Sequence, residues 1–204
     1  MFYYSHKGRH QLPANNTPRG QVRIIGGNWR RRKISFAAIP DLRPTGDRIR
    51  ETLFNWLQQD IFAAHCLELY AGSGILSLEA LSRGAGHACI NDLSTRAIQE
   101  IASQLKMLEC DAERYSLSSV AADQWIQQYQ GPAFDIIFLD PPFLSQELQS
   151  LLPQLVEQGI SRTGTLIYVE ASRGQTLKIP ESWSCHRQGH AGRVAYQLFI
   201  QEDG

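Results

Sequence analysis

Between Gly131-Pro132 and Asp140-Pro141-Pro142 the chain places Phe134, Ile136, Ile137, Phe138 and Leu139, with Asp135 as the single polar interruption. A strand with one face in water alternates apolar and polar side chains. A run that is apolar at successive positions reads instead as a strand buried on both faces. Such a strand needs a sheet covered on both sides. The rest of the sequence supplies the cover. Strand-like runs at 66–70, 88–90, 115–120 and 165–169 alternate with helical patterns at 75–82, 95–108, 124–129 and 146–158. In the second of these helices Ile98, Ile101, Leu105 and Leu108 fall on one face. Alternation of this kind predicts an α/β fold: a doubly wound, mostly parallel sheet with helices on both faces. Two final strand-like runs, 183–187 and 193–200, flank Gly189 and Gly192 and predict an antiparallel hairpin.

Ahead of this body lies an extension of different character. Residues 1–20 hold few apolar side chains and are expected to lack fixed structure. Runs at 22–25 and 33–37 around Gly26-Gly27 predict a small β-hairpin. Pro40 and Pro44 break structure, and Ile49, Leu53, Phe54, Trp56 and Leu57 then recur at helical spacing over 47–59, with Thr45 placed to cap the helix. The expected organisation is therefore 1–20 without structure, 21–60 hairpin and helix, and 61–204 the α/β domain.

The formal net charge of zero hides an asymmetry. Residues 1–50 carry eleven Lys and Arg against Asp41 and Asp47, a net +9, and the remaining 154 residues carry −9. A basic arm on a mildly acidic body suits a nucleic-acid partner. Ile24, Ile25, Trp29, Ile34 and Phe36 lie in the same arm and argue for an ordered element. No apolar run approaches membrane-spanning length and the N-terminus has no apolar leader core, which points to a cytoplasmic protein. Cys66, Cys89, Cys110 and Cys185 form no C-x-x-C pair and match no common zinc module, so reduced thiols and no metal site are expected.

Two motifs carry chemistry. Glu68-Leu69-Tyr70-Ala71-Gly72-Ser73-Gly74 stands where a strand turns into a helix, a place where glycines let backbone approach a ligand. Asp92 follows Gly72 by twenty positions, at the end of the next strand, from which a carboxylate reaches ribose hydroxyls. Ser77 occupies the position of a third glycine, which weakens a dinucleotide reading, and Glu68 would repel a pyrophosphate but suit a cationic ligand. The alternative is a tight turn with helix-capping acids.

The second motif, Asp140-Pro141-Pro142-Phe143, follows the buried strand directly, so Asp140 is expected at the same cleft. Prolines offer carbonyl acceptors and no N–H donor. A carboxylate with backbone carbonyls matches an exocyclic amino group, which brings two donors. Phe143 is placed to stack on an extruded base.

The tetrapeptide resembles the motif of class I methyltransferases acting on exocyclic amino groups. Arg23-Ile24-Ile25-Gly26-Gly27-Asn28-Trp29-Arg30, the segment 43–57, Leu78-Glu79-Ala80-Leu81-Ser82-Arg83 and Ala191-Gly192-Arg193-Val194-Ala195-Tyr196 resemble, more narrowly, the bacterial 16S rRNA guanine-N2 methyltransferases, the RsmD family. The resemblance spans roughly 20–200. It implies a seven-stranded Rossmann-like sheet, S-adenosyl-L-methionine as cofactor, and 16S rRNA within small ribosomal subunits as partner. No residual apolar stripe suggests an obligate dimer, so a monomer is expected. It implies that Glu68, Gly72 and Gly74 lie by the methionine part, that Asp92 holds the ribose, that Asp140 and Pro141 grip the target amine beside Pro142, that Phe143 stacks, and that 43–51 closes the pocket. Where such enzymes often place Asp or Asn after the third strand, this chain has Ala121, so Asp123 or backbone groups would meet the adenine. Arg30, Arg31, Arg32 and Lys33 would neutralise RNA phosphates. Adenine N6 in DNA or RNA is the rival substrate. A non-catalytic RNA-binding module and a nicotinamide oxidoreductase are rivals from other classes.

Overall fold

The computed structural model describes residues 19–37, 46–142 and 147–203. A two-stranded antiparallel hairpin, β1 (Arg19–Arg23) and β2 (Lys33–Ala37), leads to α1 (Asp47–Trp56). There follow β3 (His65–Glu68), α2 (Ile75–Ser82), β4 (His87–Asn91), α3 (Thr95–Met107), β5 (Tyr115–Ser118), α4 (Ala122–Gln128), β6 (Ile136–Leu139), α5 (Leu148–Glu157), β7 (Leu166–Ser172), β8 (Trp183–Ala191) and β9 (Val194–Gln201). Seven strands form one sheet in the order β5-β4-β3-β6-β7-β9-β8. The first five run parallel, β7 pairs antiparallel with β9, and β9 with β8.

The strand that the apolar run predicted is at the middle of this sheet. Ile136, Ile137, Phe138 and Leu139 are all wholly buried. Ile136 and Phe138 join a core with α1, α2, α3 and the N-terminal hairpin, while Ile137 and Leu139 join another with α4 and α5. Successive side chains therefore serve opposite faces, as the period of a strand requires. The N-terminal hairpin and helix share the first core with the sheet, through Ile24, Ile34, Leu53 and Phe54.

Helix α1 begins at Gly46, which offers no side-chain cap. Thr45, expected to cap it, lies outside the described residues, as do 1–18 and Phe143. The closing hairpin is longer than its sequence suggested, because β8 extends to Ala191 through exposed polar positions.

Candidate active site

The chain enters the sheet at β3, winds outward to β4 and β5, and returns to the other side of β3 as β6. Connections on the two sides then lead away from each other, and the crevice between them is where ligands bind in open α/β sheets. The predicted residues meet there. Glu68 ends β3, Gly72 and Gly74 lie in the loop that follows, Asp92 comes directly after β4, and Asp140 directly after β6. Asp123 stands exposed in the first turn of α4, the next loop along, and its charge is felt by Tyr70.

Both loop glycines adopt left-handed backbone, φ 53° at Gly72 and 72° at Gly74. A Cβ at Gly74 would stand 2.8 Å from the Ile101 side chain, so any other residue here would have to push that side chain aside as well as adopt left-handed backbone. The Gly72 N–H donates to Asp92 Oδ2 at 2.7 Å, and the Ser94 N–H to Oδ1 at 2.8 Å. Asp92 is half-buried, and each oxygen accepting one backbone N–H retains capacity for a hydroxyl. Leu93 beside it is 74% exposed, an apolar side chain at the rim of the crevice that sequence reasoning passed over. Buried Asn91 ties the neighbouring strand ends together. Its Nδ2 donates to the carbonyls of Leu69 and Val120, and its Oδ1 accepts from Ser118.

Glu68 is buried, and its Oε2 accepts the Ser77 N–H at 3.0 Å, in the first turn of α2. Its immediate role is thus to satisfy a helix N-terminus. Burial pushes its carboxyl up to about 8, with the Asp92 charge adding and the Ser77 hydrogen bonds opposing. Burial thus favours its protonated form.

On the other side, Asp140 is half-buried, Pro141 buried and Pro142 exposed. Leu139 pairs with Val169, which sets Glu170 on the strand beside Asp140. Glu170 is 2% exposed and accepts the Tyr168 hydroxyl at 2.8 Å. Burial, then the Glu170 and Asp140 charges, raise that hydroxyl well above its usual range. This buried pair next to Asp140 was not foreseen. Its signal in the sequence is faint: one acid closing an apolar strand.

Residues 22–200 match the family described as "Conserved hypothetical protein 95". The chain is 42% identical over 189 residues to "Ribosomal RNA small subunit methyltransferase D" of Escherichia coli (strain K12), covering 92% of this chain and 94% of that protein. The chain belongs to the ribosomal RNA small subunit methyltransferase D family. A relative of the same name from Haemophilus influenzae is 38% identical over 182 residues, covering 89% of this chain and 94% of its own. A solved structure described as a putative methyltransferase, yhhF from Escherichia coli, superposes with a TM-score of 0.80 at 38% identity, covering 91% of this chain and all of that one. The doubly wound α/β fold expected from the strand pattern, and the methyltransferase sheet that the resemblance implied, is therefore the fold of the chain.

The N-terminal motifs through which the chain resembled the methyltransferase D family acquire a physical reason. Glu79 on α2, wholly buried, accepts the Ile25 N–H at 2.8 Å and the Gly26 N–H at 2.7 Å. It also pairs with Arg83 at 2.8 Å and buried Arg50 at 3.5 Å. Arg50 in turn donates to Asp47 at 2.6 Å and to the Arg23 carbonyl at 3.0 Å. Gly27 has φ 74°, and a Cβ there would lie 1.9 Å from the Ser82 carbonyl oxygen. Trp29 is half-buried against the core and its N–H donates to Ser82 Oγ at 2.9 Å, so it helps pin the hairpin. The motifs around Gly26, Arg50 and Glu79 are the sides of one contact. Of the segment expected to close the pocket, 43–45 lies outside the described residues, and Arg50 turns to this contact. Arg30, Arg31, Arg32 and Lys33 are exposed at the hairpin's bend.

Proposed function

We propose that the chain transfers a methyl group from S-adenosyl-L-methionine to the exocyclic N2 of a guanine in 16S rRNA, on small ribosomal subunit particles. The observation that carries this reading is the placement of Asp140, followed by Pro141, on the strand end next to the one bearing Glu68, Gly72 and Gly74, with Asp92 on the strand beyond. Methyltransferase D relatives are named for small-subunit ribosomal RNA. SMU.776, a structure sharing this fold at 14% identity and a TM-score of 0.66, is described as complexed with SAH.

The residues fit such a cofactor. Asp92 keeps acceptor capacity for the ribose hydroxyls, the left-handed glycine loop exposes backbone, and Leu93 offers an apolar surface to a purine face. Ala121 offers the adenine no side-chain hydrogen bond; exposed Asp123 and the backbone of the same loop stand in its place. When bound, the cofactor supplies an electrophilic methyl on a sulfonium. Asp140 accepts a hydrogen bond from the target amine, and the Pro141 carbonyl is a second acceptor. Gripping both hydrogens draws the nitrogen toward sp³ geometry and frees its lone pair. Alignment of this kind lowers a barrier by several kcal/mol. Asp140 then takes the proton released. Phe143, outside the described residues, is assigned to stacking on the base.

The test is methyl transfer from labelled S-adenosyl-L-methionine to small subunits lacking the modification, with base analysis of the product. Label on guanine N2 is expected. Label on adenine would refute the substrate, and normal turnover by Asp140→Ala would refute the mechanism.

A further inference from the structure

At the amino ends of β3 and β4, the opposite end of the sheet from the crevice, three potential metal ligands converge. Parallel pairing sets His65 directly beside His87, and Cys89 follows two positions along β4 on the same face. Cys89 Sγ lies 3.8 Å from His65 Nε2 and 3.8 Å from His87 Nδ1. One ligand atom from each residue lies within 4.8 Å of the others. We propose that His65, His87 and Cys89 form a zinc site, with three protein ligands and a solvent-facing fourth position.

The geometry is close to what the ion needs. Zinc–sulfur and zinc–nitrogen bonds of about 2.3 and 2.0–2.1 Å at a tetrahedral angle hold S and N about 3.6 Å apart. The sulfur is already near that distance from both rings. Both imidazoles are half-exposed, so small ring rotations close the nitrogen–nitrogen gap, while Cys89 is buried and anchored by β4. The surroundings orient the ligands. Phe134 stacks on the His65 ring at 4.4 Å between centroids, and Ser116 Oγ donates to Cys89 Sγ at 3.2 Å. Asp135, ion-paired to Arg162, accepts the His65 backbone N–H and brings negative charge near the cluster. A borderline-soft cation without redox chemistry matches an N₂S set. Binding forms a Zn–S bond and releases the thiol proton to solvent. The site would clamp β3 to β4 below the crevice without entering the transfer reaction.

The experiment uses the full chain without a histidine tag, stripped with chelator and titrated with zinc against a chromophoric competitor. One equivalent is expected to bind tightly, and Cys89→Ser and His87→Ala each to weaken it by roughly 100-fold. Cys185→Ser and His186→Ala, exposed on β8, are expected to bind as the parent does. Cobalt(II) added to the unaltered chain should show a thiolate-to-metal charge-transfer band and tetrahedral d–d bands, a readout independent of whether variants fold. Binding no tighter than in the Cys89→Ser variant, or a cobalt spectrum without the thiolate band, overturns the proposal.

Discussion

The backbone N–H of Gly72 donates to Asp92 Oδ2 across 2.7 Å, so the loop leaving β3 is held to the end of β4 by the carboxylate assigned to the ribose. On the proposed reading, one side chain both shapes the cradle and faces the cofactor. Asp92→Ala removes both functions, while Asp92→Asn keeps one acceptor oxygen. Hydrogen bonds to charged groups are worth about 1.5–3 kcal/mol. Cofactor Kd measured by calorimetry is therefore expected to rise roughly 10–100-fold for the alanine variant. It should rise less for asparagine. Equal, unchanged affinities in both would remove Asp92 from the site.

The contact between hairpin and α2 predicts stability effects. Glu79→Ala leaves Arg50 buried and frees the Ile25 and Gly26 amides. Leaving a buried charge wholly unpaired costs about 3–5 kcal/mol; Arg50 keeps Asp47 at 2.6 Å, so the loss is expected toward or below the lower end of that range. Gly27→Ala should also destabilise, since left-handed backbone costs a non-glycine residue about 1–2 kcal/mol before the clash with Ser82 is counted. Urea unfolding of both variants checks this. A loss under about 1 kcal/mol for Glu79→Ala would contradict the buried geometry.

How much of this was legible beforehand depended on distance in sequence. The β6 strand was readable because five apolar positions in six demand burial whatever surrounds them. The Gly72–Asp92 pairing was readable because a βαβ unit fixes its spacing. By contrast, β8 was read only as far as Arg187, because Gln188, Gly189 and His190 beyond it give no apolar period. The Glu79–Ile25 contact joins residues 54 positions apart, and the quoted motifs did not say that they touch. His65 and His87 meet only through parallel register, which no local pattern encodes.

Glu68 gives a pH signature. Its ordinary carboxyl value is about 4.5, and burial raises it to about 8 in the fold. The folded state therefore binds more protons than the unfolded state between those values. Stability from this group is full below the unfolded value and is lost as pH rises toward about 8. Glu68→Gln has no such proton to lose. Its stability relative to the parent should climb from about pH 5 to about pH 8, by on the order of a few kcal/mol. Urea curves at several pH values test this. A constant difference would mean that Glu68 is ionised in the fold.

The four exposed cations at the hairpin bend predict how the RNA is held. Arg30, Arg31, Arg32 and Lys33 sit where β1 turns into β2, on an element fixed to the body through Glu79 and through Gln104, whose Nε2 donates to the Ser35 carbonyl at 3.0 Å. A charge on a fixed support neutralises a phosphate at lower entropic cost than one on a loose tail. Each phosphate neutralised on a single strand contributes about 0.7 to the slope of log affinity against log salt. Replacing all four by glutamine should lower that slope by about 2–3 if each makes one contact. Turnover at saturating substrate should stay near normal, because none of the four is assigned to the methyl-transfer crevice. Binding of small subunits across a salt series, paired with turnover at saturation, separates the two effects. An unchanged slope would move the RNA contact off the hairpin, and a lost turnover with intact binding would make the bend part of the catalytic arrangement.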